Sequence, residues 1–179
     1  MTLLGEETAL ASQDRMLDRL NSAPDDQALR ADLSACCAAG SWVAAVLAGR
    51  PYADFDGLFA ASDTAIAGLT EAGLAEALAA HPRIGERTGS AWSRQEQSGV
   101  ATASAGLHAE LAAANAAYEQ RFGQVYLVCA TGKSAEELLA ICRSRLGNDP
   151  ATERAVVLAE LAKISRLRLE KLLNREGGR

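Results

Sequence analysis

The sequence predicts an all-α protein, built as a single compact domain with a helical bundle of about eight or more helices. The chain has 179 residues, and a chain of this size buries roughly 70% of its unfolded surface, which suits one domain with a real core. Alanine and leucine recur throughout, aromatic residues make up only 4% of the chain, and β-branched runs are scarce. This composition favours helices over strands. We expect residues 1–179 to form one domain, with residues 1–15 as a flexible or peripheral N-terminal segment.

The first half of the chain is divided into helices by proline and glycine. Breaks at Pro24, Gly40 and Arg50-Pro51 predict two short helices between Pro24 and Arg50. Two more helical segments follow from Asp54. For the second of these, Thr70 is a plausible N-cap.

Leu74, Leu78 and His81 lie on one face of the segment that follows Thr70, at spacings of four and three. Pro82 ends this segment, because the residue before a proline is pushed out of the α region. The sequence therefore predicts a helix that stops at a histidine.

The second half predicts three further helices. Apolar residues at helical spacing mark the first, which ends at Gly123: Leu107, Leu111, Ala114, Tyr118 and Phe122. The stretch "QVYLVCATG" predicts one short extended piece. Ser134 and Glu137 then form a capping box at the start of the next helix, and Asp149-Pro150 starts the last one.

Charge, hydropathy and cysteine content exclude several classes of protein. The net charge is −5 and the basic residues are scattered, so a nucleic-acid partner is not expected. The N-terminus lacks the basic start of a signal peptide, and no stretch approaches 18 apolar residues. The four cysteines form no CxxC pair, which predicts reduced thiols. We expect a cytoplasmic protein without membrane contact.

Two common ligand motifs are absent. The end of "CATGKS" is like a phosphate loop, but Leu127 stands where that motif needs a glycine. The two histidines, His81 and His108, are far apart, and no metal-binding spacing of histidine or cysteine occurs. We expect no metal site, and we interpret His108 as a structural histidine beside an apolar stripe.

His81 has two interpretations. It ends an apolar helical face, so it suits a core histidine at the C-terminal end of a helix. It also precedes a glycine-containing loop with Arg83 and Glu86, which is how a general acid or base is held at the rim of a pocket.

The run that begins at Ser93 is similarly ambiguous. Ser93 and Glu96 have the spacing of a capping box, and capping is the better interpretation of Ser93 from spacing alone. Gln97 adds an amide that caps nothing. A carboxylate at a helix N-terminus next to a histidine also suits an acid/base partner.

Arg168 is unusual because it falls within an apolar stripe of the last helix. The stripe contains Val157, Leu161, Ile164 and Leu172, whereas Arg166 lies on the opposite side. A buried guanidinium needs an anionic partner, which is either an internal acid or a bound carboxylate or imide-like ligand.

Several segments together resemble one known family. They are "LAAHPRIGER", "WSRQEQSGV", "SWVAAVLAGRPY" and the long stretch from "NAAYEQRFGQVYLVCATGKS" to "RLRLEKLL". From about Leu20 to Leu173 the chain resembles 2-oxo-4-hydroxy-4-carboxy-5-ureidoimidazoline (OHCU) decarboxylase, the last enzyme of the route from urate to allantoin.

The resemblance implies an all-helical, cofactor-free homodimer that converts OHCU to (S)-allantoin. Carried over by position, it implies His81 and Glu96 as the acid/base pair. It also implies substrate-binding residues, namely Pro82, Ser93, Gln97, Phe122, Leu127, Val128 and Arg168. The alternatives are a non-enzymatic helical interaction module, or another cofactor-free lyase or hydrolase acting on a related ureido ring.

Overall fold

The computed structural model describes residues 17–86 and 89–175, and the predicted N-terminal segment 1–15 lies outside them. The described residues contain helices and loops but no strand, which confirms the all-α prediction. Residues 17–22 belong to helix α1. The other helices are α2 (Gln27–Cys36), α3 (Gly40–Ala48), α4 (Phe55–Ala67), α5 (Glu71–Ala79), α6 (Ala91–Glu96), a 3₁₀ helix (Ser98–Val100), α7 (Ala105–Phe122), α8 (Ala135–Arg145) and α9 (Pro150–Arg175).

The described residues fall into two compact units. The first unit contains residues 17–69 and 164–175, and the second contains Thr70–Lys163. Helix α9 contributes its N-terminal part to the second unit and its C-terminal part to the first. The expectation of a single domain stays a prediction.

The first unit is held by hydrogen bonds between distant parts of the chain. Trp42 is fully buried, and its indole N–H donates to Ser62 Oγ over 3.1 Å. Asn21 pairs with the backbone of Tyr52 in both directions, each bond 2.8 Å long. Arg50 donates to the carbonyl oxygens of Leu20 and Ala23. The bonds to Tyr52 and Ala23 give partners to backbone groups that lie outside the helices.

The second unit contains an apolar core, in which buried faces of α7 and α8 meet the loop segment 126–130. Its buried members are Ile84, Val100, Leu111, Ala114, Tyr118, Tyr126, Val128, Ala130, Ala135, Leu138, Leu139 and Cys142. The predicted stripe of α7 is therefore largely a core face, with Leu107 and Phe122 partly buried against it. The rings of Tyr118 and Tyr126 lie 5.3 Å apart at a tilted angle, which is a favourable aromatic geometry.

Three helix ends have the capping residues that the sequence predicted. Thr70 Oγ1 accepts from Gly73 N–H at the start of α5, and Ser134 with Glu137 forms a complete capping box on α8. Gly123 ends α7 with a φ of 69°, a left-handed conformation that glycine adopts at little cost.

The stretch predicted as one short extended piece pairs with no strand in the described residues. Residues 125–130 have no regular secondary structure, and Tyr126 to Ala130 are all buried. A lone strand cannot satisfy its backbone, and here side chains supply partners instead: Arg145 donates to Leu127 O and Glu160 accepts from Cys129 N–H.

Within the described ranges, no single helix has the length and hydropathy needed to cross a bilayer, although α2 and α3 taken together pass that test as a pair bent by 115°. All four cysteines are buried, and none of them is in a disulfide bond.

Candidate active site

His81 lies one residue beyond the C-cap of α5, and only 8% of it is exposed. Its Nδ1 is 2.9 Å from the carbonyl oxygen of Ala77. A carbonyl oxygen can only accept, so Nδ1 carries the hydrogen. In the neutral ring Nε2 therefore holds the lone pair and is the atom that can take a proton.

The loop after His81 (residues 82–86, the histidine loop) is fixed by side chains of α7. The buried Asn115 donates from Nδ2 to the carbonyl oxygen of Ile84 over 2.9 Å. Arg83 makes two hydrogen bonds to Glu119, of 2.5 and 2.9 Å, and these bonds hold the pKa of Glu119 below its usual range. Gly85 has a φ of 86°, which a side chain would strain. The backbone beside the histidine is therefore held in one conformation.

Helix α6 corrects the capping interpretation of Ser93. The N-cap is Ser90, whose side chain accepts from Ser93 N–H, and Ser93 itself lies inside the helix. Glu96 is the last residue of α6 rather than a residue near its N-terminus. Ser93 and Glu96 are 3% and 9% exposed. With a spacing of three they share one buried face of the helix, so neither side chain caps α6.

Gln97 connects the end of α6 to the histidine loop. Its Oε1 accepts from Gly85 N–H at 2.9 Å, and its Nε2 donates to Arg83 O at 3.4 Å. Both halves of the amide thus bind backbone groups within four residues of His81.

The remaining predicted site residues of the second unit are spread over several elements. Pro82 is half-buried beside His81, and Leu127 and Val128 are buried in the irregular segment. Phe122 lines a cavity of about 410 Å³ together with Glu71, Arg121, Gln124 and Arg154 among others. Of the predicted site residues, Phe122 alone is among those lining this cavity in the described part of the chain.

Arg168 belongs to the first unit. It is 5% exposed, and its Nη1 donates to the carbonyl oxygen of Ala35 over 3.3 Å. Arg166 is exposed, with its guanidinium 4.4 Å above the ring of Phe59. The helical phase predicted for these two arginines is confirmed.

Three residues that organise the second unit were not among the site residues predicted from the sequence. Asn115 holds the histidine loop, and a buried Arg145–Glu153 pair holds the segment that contains Leu127. Asn115 had a visible signal, since it lies beside Ala114 among the apolar residues of α7. Arg145 and Glu153 had none, because arginine and glutamate are ordinary on helix surfaces.

Across residues 17–86 and 89–175, no group of three or more histidine, cysteine, aspartate or glutamate side chains is arranged to hold a metal ion.

Fold and site together define an all-helical protein in which one unit buries both a histidine and a carboxylate. The family model described as OHCU decarboxylase matches residues 21–170. This chain belongs to the OHCU decarboxylase family.

Individual relatives agree with this assignment. The chain is 35% identical over 137 residues to the 2-oxo-4-hydroxy-4-carboxy-5-ureidoimidazoline decarboxylase of Amia calva. The aligned region covers 73% of this chain and 78% of that protein. It is 28% identical to the uric acid degradation bifunctional protein TTL of Arabidopsis thaliana, over 78% of this chain and 45% of that one. An OHCU decarboxylase crystallised in the presence of (S)-allantoin superposes with a TM-score of 0.70 at 29% identity, covering 80% of this chain and 97% of that chain.

Proposed function

We propose that this protein decarboxylates OHCU to (S)-allantoin in urate degradation, without a cofactor. Family membership and the likeness to an OHCU decarboxylase crystallised with (S)-allantoin support the substrate. The observation that carries the proposal is the buried His81, whose Nδ1–H is bound to Ala77 O so that Nε2 can act as a base.

The chemistry requires proton transfer and charge stabilisation. The substrate bears a carboxylate and a hydroxyl on one ring carbon, next to a C=N bond. When the bond to the carboxylate breaks, CO₂ leaves and its electron pair moves into the ring, where the imine nitrogen takes up a proton. The hydroxyl then loses its proton as a carbonyl forms, and the carbon bearing the ureido group gains one. A protein that orients the carboxylate and manages these protons can catalyse the reaction.

In this proposal His81 acts on the proton of the hydroxyl, or on that of the departing carboxyl group when the substrate binds in its acid form, with Glu96 as its partner. A buried carboxylate at the C-terminal end of a helix gains nothing from the helix dipole, so a functional role gives a reason for its position. Ser93, Gln97, Pro82, Phe122 and the backbone of Leu127 and Val128 are proposed to bind the substrate. Gln97 also holds the histidine loop.

Arg168 is proposed as an anion-binding residue on the strength of the family resemblance and its burial.

We further propose a homodimer in the cytoplasm. Light scattering checks the assembly against twice the chain mass of 18.7 kDa, and cell fractionation checks the location.

The experiment supplies urate, uricase and the preceding hydrolase, and follows the circular dichroism of the allantoin formed. Wild-type protein is expected to accelerate the reaction and yield the (S) enantiomer, whereas spontaneous decay yields a racemate. His81→Ala should lose on the order of 10²-fold in kcat. The matched control is His108→Ala, which removes the only other histidine and should leave kcat unchanged. Racemic product with the wild type at the spontaneous rate would contradict the proposed function.

A further inference from the structure

The second unit contains a buried ion pair between Arg145 of α8 and Glu153 of α9. Arg145 Nε and Nη2 both donate to Glu153 Oε1, over 2.9 and 2.5 Å. The two side chains are 7% and 1% exposed. Removing two charges from water costs more than such a pair usually returns, and apolar residues of similar volume often stabilise a protein as well or better. Stability alone is therefore a weak reason for this pair.

The other edge of the guanidinium binds backbone. Arg145 Nη1 donates to the carbonyl oxygen of Leu127 over 2.7 Å. The rings of Tyr118 and Tyr126 flank the group, with centroids 5.5 and 5.0 Å from Arg145 Cζ. The guanidinium is thus fixed between a carboxylate, two aromatic rings and one carbonyl of the irregular segment.

Glu153 is itself held by three neighbours. Besides Arg145, the hydroxyl of Tyr118 donates to Oε1 and Asn148 Nδ2 donates to Oε2 over 2.8 Å. Burial raises the pKa of Tyr118 to about 12, so the phenol keeps its proton and can donate. The carboxylate that orients Arg145 therefore has little freedom of its own.

The segment is also held on the far side of Val128. Glu160 accepts from Cys129 N–H over 2.8 Å, and Lys133 Nζ donates to Cys129 O over 2.8 Å. Charged side chains thus fix the peptide groups immediately before and after Val128, in a stretch where no strand ladder could do so.

We propose that Arg145, oriented by Glu153, is a positioning residue that sets the backbone of Leu127 and Val128 for substrate binding. The inference rests on the proposed function, in which this backbone lines the substrate site. An arginine suits the task because its planar fork binds two acceptors at once in a fixed geometry, whereas a lysine presents one point charge.

The experiment uses two variants of the pair and a matched control. Arg145→Lys keeps the charge but loses the fork. Arg145→Met with Glu153→Leu replaces the whole pair by apolar side chains. The control is Arg143→Met with Glu110→Leu, since Arg143 is also on α8 and forms an exposed pair with Glu110, at 2.7 Å.

Both variants of the buried pair are expected to raise KM by about tenfold or more while kcat changes little, because uniform substrate binding is lost. The control should keep the wild-type KM. A purely structural role would instead reduce the fraction of active protein, which lowers the apparent kcat and leaves KM unchanged. Wild-type KM in either folded variant of the buried pair overturns the inference.

Hydrogen exchange provides a readout that does not depend on activity. Arg145→Lys should speed exchange of the amides between Tyr126 and Ala130 by about tenfold or more, while protection in the middle of α8 is retained. Unchanged exchange in that segment overturns the inference. If wild-type protein forms no allantoin, the proposed function fails, and the exchange result still decides whether Arg145 holds the segment.

Discussion

At the scale of single residues, variants of Ser90 and Glu96 distinguish a capping role from a catalytic one. Ser90→Ala removes the side chain that caps α6 and should cost about 1 kcal/mol of unfolding free energy without changing kcat. Glu96→Gln removes a buried carboxylate that does not cap α6, so we expect a loss of kcat with little change in helix stability. Measuring kcat and the thermal midpoint of both variants checks this. Wild-type kcat in Glu96→Gln would remove Glu96 from the acid/base pair.

Arg168 and Arg166 offer a second comparison between single residues. Arg168→Lys keeps the charge but loses the bidentate fork, so kcat/KM is expected to fall by about 10-fold or more. Arg166→Lys weakens the contact with the ring of Phe59 and should cost about 0.5–1 kcal/mol of stability at most, with kcat/KM unchanged. Steady-state kinetics and denaturant unfolding of both variants test this. Equal kinetic effects would mean that the substrate carboxylate is bound elsewhere.

At the scale of helices, local sequence predicted most of the boundaries. Thr70, Ser134 and Gly123 act within one turn of the chain, and each has the role that its residue type favours. The start of α6 could not be predicted in this way, because Ser90 and Ser93 are both good caps with suitable spacing. Burial of Ser93 and Glu96 on one face is a tertiary effect, and it decides between the two starts.

The hydrogen-bond partners of the segment 125–130 could not be predicted from the sequence for a related reason. Its valine and tyrosine residues have strand propensity, but a strand needs a neighbour, and no strand exists in the described part of the chain. Its partners come from Arg145, Lys133 and Glu160, which lie up to 31 positions along the sequence. Pairings at such separations leave no pattern in a single sequence.

The 3₁₀ helix gives a prediction at this scale. A Cβ added at Gly99 would overlap the carbonyl oxygen of Lys133, so Gly99→Ala should lower the unfolding free energy by about 1–3 kcal/mol. The control is Gly106→Ala in the first turn of α7, where the nearest atom lies 3.9 Å away. That change should raise stability by up to about 1 kcal/mol, since alanine favours helix. Denaturant unfolding distinguishes the two, and equal effects would contradict the close approach at Gly99.

For the whole molecule, we expect activity to be independent of added metal. The described residues offer no ready set of ligands, and the chain has only two histidines. Extended dialysis of the purified protein against a chelator should therefore leave kcat unchanged. Loss of activity that Zn²⁺ restores would contradict the prediction and require a metal step in the mechanism.

The four buried thiols have a practical consequence for measuring how the molecule opens. Cys36 and Cys37 belong to the first unit, Cys129 and Cys142 to the second, and none is more than 7% exposed. Burial raises the pKa of Cys142 to about 11, which keeps it unreactive at neutral pH. An alkylating reagent can therefore reach these sulfurs only after local or global opening. Mass spectrometry of the labelled peptides then gives the labelling rate of each cysteine pair. That rate reports the opening of the unit that contains the pair, with no engineered probe required.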